Sequence, residues 1–434
     1  MLIKISTPKN KTSWTADGLT FPIVDPHTKI KHLILQDYIK DWVVTICSNN
    51  RLNNATLTII DSFCGGGLYK DEGNNLNLWE GSPFRLIKSV ENGLREVKEK
   101  RSKPNFKLDI KFIFIDSDFD HIESLKKNLE RSELAPYMKQ CEFIQGEFSE
   151  KLDYCVSEVT KRTGNSFFFI DPFGYTQFTM NDLRKIMQVP KTEILLTFMI
   201  DFIRRFLNSR KDSLAKFDKY LEADGYFNSS NGNNIDSLSE QAYIRSETLR
   251  LFRDKTNVKY LYTFGMLPNK TLTKYYLIHF ANKITAQKVI KDTLWVHNSL
   301  DHSCLFEYGI YGLGFRTPDY LEQNYRIFNI EENNKRKCIS DLEDSILPSI
   351  HLQENGLPFE KILEETIQLN PASSDLYNES IIKLREENEI KVIREGKETW
   401  SKKIKNSDLI RKSKRTQYFL FDNLPSLLTR KDTH

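Results

Sequence analysis

Three aspartates stand where short apolar segments end, and they are the chemistry-bearing feature of this chain. Leu57-Thr58-Ile59-Ile60 runs into Asp61, and the cluster Gly65-Gly66-Gly67 follows closely. Phe112-Ile113-Phe114-Ile115 runs into Asp116, and Phe167-Phe168-Phe169-Ile170 into Asp171-Pro172-Phe173-Gly174. Short apolar runs rich in β-branched and aromatic residues read as buried parallel strands. A parallel strand that enters a glycine loop at the carboxyl edge of an open α/β sheet is the local pattern beneath a nucleotide-like ligand. Glycine permits a backbone path closed to other residues and lets a ligand approach. A phosphate-cradling P-loop is excluded, because no Gly-Lys-Ser or Gly-Lys-Thr follows. Asp116 lies 55 positions after Asp61, well past the roughly 20 of a plain dinucleotide fold. A polar insert at 70–81 takes up part of the excess. Each feature also has a plain reading. The glycine loop alone is a tight turn, Asp116 alone is a helix cap, and Asp171-Pro172-Phe173-Gly174 alone is a strand-to-helix turn.

The elements that must position these residues follow from periodicity. Residues 1–30 are irregular, broken by Pro8, Pro22 and Pro26. Thr28 caps a helix over 31–47, in which Leu33, Ile34, Tyr38, Ile39, Trp42, Val43 and Ile46 keep helical spacing. The first strand covers 57–61. Ser82 then Pro83 is an N-cap followed by a first helical position, which opens a helix over 83–97. Strand 110–115, helix 119–131, strand 141–145, helix 150–161, strand 166–170, helix 180–187 and strand 193–198 continue the alternation. Alternation of this kind predicts a mainly parallel, doubly wound sheet. The β-rich runs 258–266 and 274–281, joined by a short polar link, predict an antiparallel hairpin at its edge. A polar helical insert spans about 200–255, with an irregular patch at 228–234. The expected domains are an irregular segment 1–30, an α/β domain 31–330, a linker 331–355 and a basic domain 356–434. In the last, helices at 358–369 and 374–387 precede a strand at 390–393 and a turn at Glu395-Gly396. That helix, helix, hairpin order resembles a winged helix.

Composition narrows the class. In 434 residues, 28% are charged and 39% hydrophobic, an ordinary globular balance. No run of about 18 apolar residues predicts a membrane span, and the first residues lack a secretion signal, so a cytoplasmic protein without membrane partners is expected. The six cysteines are scattered and form no CxxC, which predicts reduced thiols and no metal site. The net charge of +4 is unevenly placed. From Lys391 to the end, 12 Lys and Arg stand against 5 Asp and Glu, a net of +7. A basic end suggests nucleic acid or another polyanion, with Lys402, Lys403, Lys405, Arg411, Lys412, Lys414 and Arg415 as candidate phosphate contacts. The alternative is a solvated basic surface.

Taken together, the three strand ends resemble a Rossmann-like class I S-adenosylmethionine-dependent methyltransferase. That resemblance implies S-adenosylmethionine as cofactor, its methionine part in the loop of Asp61, Phe63, Gly65 and Gly67. It gives the ribose hydroxyls to Asp116 and the adenine amine to the Gln145-Gly146-Glu147 turn, with Glu147 as the candidate. Asp171, Pro172 and Phe173 resemble the (Asp/Asn)-Pro-Pro-aromatic loop of amino-methyltransferases. There the acid and the first proline carbonyl accept from the target amine, and the aromatic stacks on the base. Here Phe173 takes the place of the second proline, and Tyr175 is a possible substitute in stacking. Asp171 is expected to be removable without unfolding.

The segments Asp61–Gly67, Gly81-Ser82-Pro83, Phe114–Asp118, Phe167–Gly174, Glu193–Phe198 and Lys288–Trp295 are also similar to the three-Cys-motif partner protein family, TcmP. The family usually has Ala and Pro where Cys64 and Gly66 stand, and Glu more often than Asp at 116. Membership implies a setting of mobile or phage-linked genes, antiviral defence included, and a radical-SAM-like three-cysteine protein or another defence-system subunit as partner. The function expected is methyl transfer to an amino nitrogen of a nucleic-acid base. The alternatives are a non-catalytic nucleic-acid-binding partner or effector subunit and, last, a nuclease, for which no carboxylate cluster of suitable spacing stands out.

Overall fold

In the computed structural model of the protein, residues 13–49, 52–72, 78–101, 103–200, 203, 217–227, 237–267, 274–300, 313–316 and 330–413 are described. They fall into two compact units, 1–338 with 367–374, and 339–366 with 375–434.

The first unit is built on an eight-stranded sheet. In chain order its strands are β1 Asn54–Asp61, β4 Lys107–Asp116, β5 Cys141–Gln145, β6 Asn165–Ile170, β7 Thr192–Met199, β8 Tyr260–Leu267, β9 Tyr275–Ala281 and β10 Leu313–Arg316. The short pair β2 Leu68–Lys70 and β3 Leu78–Glu80 forms a separate ribbon around the polar insert. The sheet order is β10-β8-β9-β7-β6-β1-β4-β5. β1, β4, β5, β6 and β7 pair in parallel, and β9 lies antiparallel between β7 and β8. This is the class I methyltransferase arrangement expected from the sequence, with the hairpin reinserted at one edge. β10, parallel to β8, adds an eighth strand that was not expected.

Both faces of the sheet are covered, and the side-chain alternation shows it. Leu57, Ile59, Phe112, Phe114, Phe167 and Phe169 join the core beneath α1 Pro26–Cys47, α2 Ser82–Lys100 and α3 Phe119–Glu130. Ile60, Ile113, Ile115, Phe168 and Ile170 face the opposite core, with α4 Phe148–Arg162, α5 Met180–Met187 and α6 Ser237–Thr256. Phe167, Phe168 and Phe169 are fully buried, which stabilises by about 1.5–3 kcal/mol each. Helix α7 Ile284–Val296 joins the first face.

Helix starts differ in detail from expectation. Pro26 occupies the first turn of α1, and Asp25, rather than Thr28, is its cap, accepting from the Thr28 amide at 2.9 Å. Gly81 is the cap residue of α2, and Ser82 is already helical. Of the expected insert at 200–255, α6 and the short stretch 217–227 are described, and the patch 228–234 lies outside the described residues. No helix among the described residues is long and apolar enough to cross a membrane.

The second unit holds most of α8 Ile330–His351, then β11 Leu357–Pro358, α9 Phe359–Thr366, α10 Ser374–Glu386, β12 Ile390–Arg394, β13 Lys397–Glu398 and β14 Leu409–Lys412. Its sheet order is β11-β14-β12-β13, and Glu395 and Gly396 turn the hairpin at φ 52° and 80°. The stretch 331–355 is therefore no extended linker. Cys338, Leu342, Ile346 and Ile350 recur at four-residue spacing and are buried, so it folds as a helix with Pro348 tolerated near its end.

Candidate functional site

Strand register sets the depth of the three acids. Phe114 of β4 and Phe169 of β6 both lie opposite Asp61 of β1. Asp116, the last residue of β4, and Asp171, the first after β6, are therefore each two residues further along than Asp61, a rise of about 6–7 Å, with about 10 Å between their two strands. Asp61 becomes the floor of a notch, with Asp116 and Asp171 as its walls. The loop above is stitched to both neighbours, Ser62 donating to the Phe169 carbonyl at 2.9 Å and Cys64 to the Ile115 carbonyl at 2.9 Å.

Asp61 is fully buried, and neither carboxyl oxygen has a hydrogen-bond partner among the described residues. Burial pushes its pKa up to about 7, helped by the negative charges of Asp171 and Asp116; the Ser82 hydroxyl and Phe63 amide nearby pull it partly back. An acid with a raised folded pKa binds a proton that the unfolded chain has released. Stability must therefore fall as pH rises from about 4 to about 7, and level off above. For Asp61 this amounts to up to about 4 kcal/mol. Asp61→Asn should flatten the slope between about pH 4 and pH 7 in urea unfolding, and an unchanged slope would show that Asp61 ionises freely.

Asp116 is satisfied from within. Its carboxylate accepts from the Gly65 amide at 3.0 Å, the Asp118 amide at 2.9 Å and His121 Nδ1 at 3.0 Å. His121 is half-buried, which opposes its charge, but the hydrogen bond and charge of Asp116 prevail and raise its pKa. Gly65 and Gly67 have φ of 59° and 85°, values that disfavour any side chain. The room these glycines leave is taken by the protein itself. A Cβ on Gly66 would lie 2.2 Å from Trp14 Cγ, and one on Gly67 2.7 Å from Leu125 Cδ1. Trp14 is buried, donates from Nε1 to the Leu68 carbonyl at 2.5 Å, and meets Tyr69 and His121 edge-on at 5.0 and 4.7 Å.

Asp171 forms a short ion pair with the Lys31 ammonium, and Lys31 is only 7% exposed. Lys31 Nζ also lies 5.9 Å from the Tyr275 ring. Pro172 is buried, whereas Phe173 projects with 79% of its surface exposed. Gln177 Oε1 accepts from the Phe173 and Gly174 amides at 2.6 and 3.2 Å and holds the turn. Phe63 turns to the opposite core, 5.8 Å from Phe148, and so does not face the notch. Glu147 is exposed at the start of α4, beyond β5.

Sequence reasoning missed Lys31, Trp14 and His121. Lys31 did carry a signal, since it shares the stripe of Ile34, Leu35 and Tyr38 on α1, and a lysine on a buried stripe demands a partner. Trp14, in an irregular segment, carried none. In the second unit, Lys402, Lys403, Lys405, Arg411 and Lys412 are exposed. Lys414 and Arg415 lie outside the described residues.

A family model, the GMT-like wHTH domain, matches residues 316–397, which takes in α8, α9, α10 and β12 and ends at the first residue of β13. No curated protein matches the chain. Among solved structures it is similar to protein LPL1258 of Legionella pneumophila, with 11% identity, 59% of this chain and 85% of that one covered, and TM-score 0.33. The METTL16 methyltransferase domain gives 12% identity, 58% and 83% coverage, and TM-score 0.27. Escherichia coli yhhF, described as a methyltransferase, gives 10% identity, 61% and 92% coverage, and TM-score 0.23. At such values the likenesses add nothing to what the sheet order already shows.

Proposed function

We propose that the protein is an S-adenosylmethionine-dependent methyltransferase that acts on nucleic acid, at an amino nitrogen of a base. The observation that carries this is the notch itself. Three acids close three adjacent parallel strands around a positive-φ glycine loop, in a class I sheet order. The donor set suits the cofactor. Asp61 offers unfilled carboxyl oxygens to an ammonium group, and Asp116 stands where a ribose would be held. When bound, the cofactor supplies an electrophilic methyl group. Asp171 would orient the attacking amine and balance the charge that develops on it. Phe173, exposed beside it, would stack on the base, which must be unpaired or flipped. The winged-helix unit would bring the polyanion. The resemblance to the three-Cys-motif partner family supports a defence or mobile-element setting, with a three-cysteine protein as partner and the cytoplasm as its place.

The test is calorimetry with S-adenosylmethionine and S-adenosylhomocysteine. Asp116→Ala should weaken binding more than about tenfold, since a charged hydrogen-bond partner is worth about 1.5–3 kcal/mol. Unchanged affinity in the folded variant would remove Asp116 from the ribose site.

Two contacts favour a second reading, a non-catalytic nucleic-acid-binding partner. Lys31 holds the carboxylate that a target amine would use, and Trp14 fills the open side of Gly66. A notch satisfied by its own side chains suits a scaffold that kept the fold. Cofactor binding without transfer to any DNA or RNA would favour it.

A further inference from the structure

The helix of the winged-helix unit that such folds commonly lay in the major groove is α10. Its exposed residues are Asp375, Lys383 and Glu386, with Glu379 half-exposed, and Glu387, also exposed, follows its last turn. Lys383, its one exposed cation, is engaged by Glu343 at 2.6 Å and Glu387 at 4.0 Å. This acidic face repels phosphates.

The basic surface lies elsewhere, on the loop 399–408 between β13 and β14, and the loop is fixed from beneath. Arg385, 3% exposed, donates to the Thr399 and Ser401 carbonyls, both at 3.0 Å. Arg394 grips Asp408 through two bonds of 2.8 and 2.7 Å and donates to the Lys403 carbonyl at 2.8 Å. Asp408, fully buried, also accepts from the Lys405 amide at 2.8 Å. Ile404 is buried, with its amide donating to Asn378 Oδ1 at 3.2 Å. These inward bonds leave Lys402, Lys403 and Lys405 pointing to solvent, and Lys402 and Lys403 form no ion pair among the described residues.

Trp400 opens the same loop. It is 62% exposed, and the Arg385 guanidinium lies 5.1 Å from its ring centre. A large apolar ring supported by a fixed cation and flanked by three lysines is a stacking platform with phosphate contacts beside it. We propose that the loop 399–408 binds single-stranded nucleic acid, with Trp400 stacked on an unpaired base and Lys402, Lys403 and Lys405 on the adjoining phosphates. α10 takes no part. A duplex hides its base faces, so it gains the phosphate contacts but not the stacking. The proposal rests on the nucleic-acid function above and names its partner as a single strand.

The experiment is fluorescence anisotropy of the full chain with a labelled 12-nucleotide single strand and the matching duplex, across a salt series. The single strand should bind more tightly. Trp400→Ala should weaken it at least about fivefold, and Trp400→Phe much less. Lys402→Ala with Lys403→Ala should lower the salt slope by about 1.4, at about 0.7 per phosphate on a single strand. Glu386→Gln with Glu387→Gln should leave that slope unchanged. Wild-type thermal unfolding in each variant confirms an intact unit. Duplex preference, or full affinity in folded Trp400→Ala, overturns the loop assignment and leaves nucleic-acid binding standing. No binding to either probe overturns both.

Discussion

Replacing Asp171 by alanine and Lys31 by methionine together should yield a folded protein that has lost at least about 100-fold in methyl transfer, the lower range for a positioned acid or base. The sequence alone suggests that Asp171→Ala would spare the fold. The structure corrects this. Lys31 is 7% exposed and has Asp171 as its ion-pair partner, so the single variant leaves a buried ammonium uncompensated, at a cost of about 3–5 kcal/mol. Its lost activity would then report unfolding. Exchanging both members for apolar groups removes that cost, because a buried pair replaced by apolar side chains is often near neutral. Urea unfolding should place the double variant near wild type and Asp171→Ala well below it. The activity assay is transfer of labelled methyl groups to mixed DNA and RNA. Equal transfer by wild type and the double variant would discard this site.

The second large effect concerns Trp14. It is buried over Gly65 and Gly66, so Trp14→Ala should cost about 3–5 kcal/mol. Gly66→Ala should cost about 1–3 kcal/mol on its own, because the new methyl would lie 2.2 Å from Cγ and 2.7 Å from Cβ of Trp14. Those atoms are at the root of the side chain and cannot swing aside. In the Trp14→Ala background the ring contact is gone and only the 2.7 Å approach to Cβ remains, so Gly66→Ala should cost clearly less than it does in the wild type. Additive costs in this double-mutant cycle would show that Trp14 does not occupy that space. Cofactor affinity in Trp14→Ala separates the two functional readings. A rise fits a notch closed by its own tryptophan, and a fall fits a tryptophan that helps to build the cofactor site.

Much of the first unit was legible because its signals are local. Phe112 to Asp116 and Phe167 to Asp171 announce strands buried on both faces, since no polar residue interrupts them. Ser82-Pro83 marks a helix start to within one residue, and Glu395-Gly396 marks a hairpin, by backbone rules that need no distant partner. The stretch 331–355 was misread because its charged residues and Pro348 concealed the spacing of Cys338, Leu342, Ile346 and Ile350.

By itself, the sequence determined the parallel strands and most of the helices of the first unit, the acids that end three of the strands, and the loop of Gly65 and Gly67. Period and backbone freedom are properties of a few neighbouring residues. Only the tertiary structure decided that Asp61 lies below Asp116 and Asp171, because depth depends on strand register. It alone brought Lys31 to Asp171, 140 residues away, and laid Trp14 on Gly66. It also turned Phe63 into the core and aimed Trp400 outward on Arg385. Those contacts depend on how the helices and loops pack against the finished sheets, and the local pattern, even where it demands a partner as at Lys31, does not say which residue that partner is.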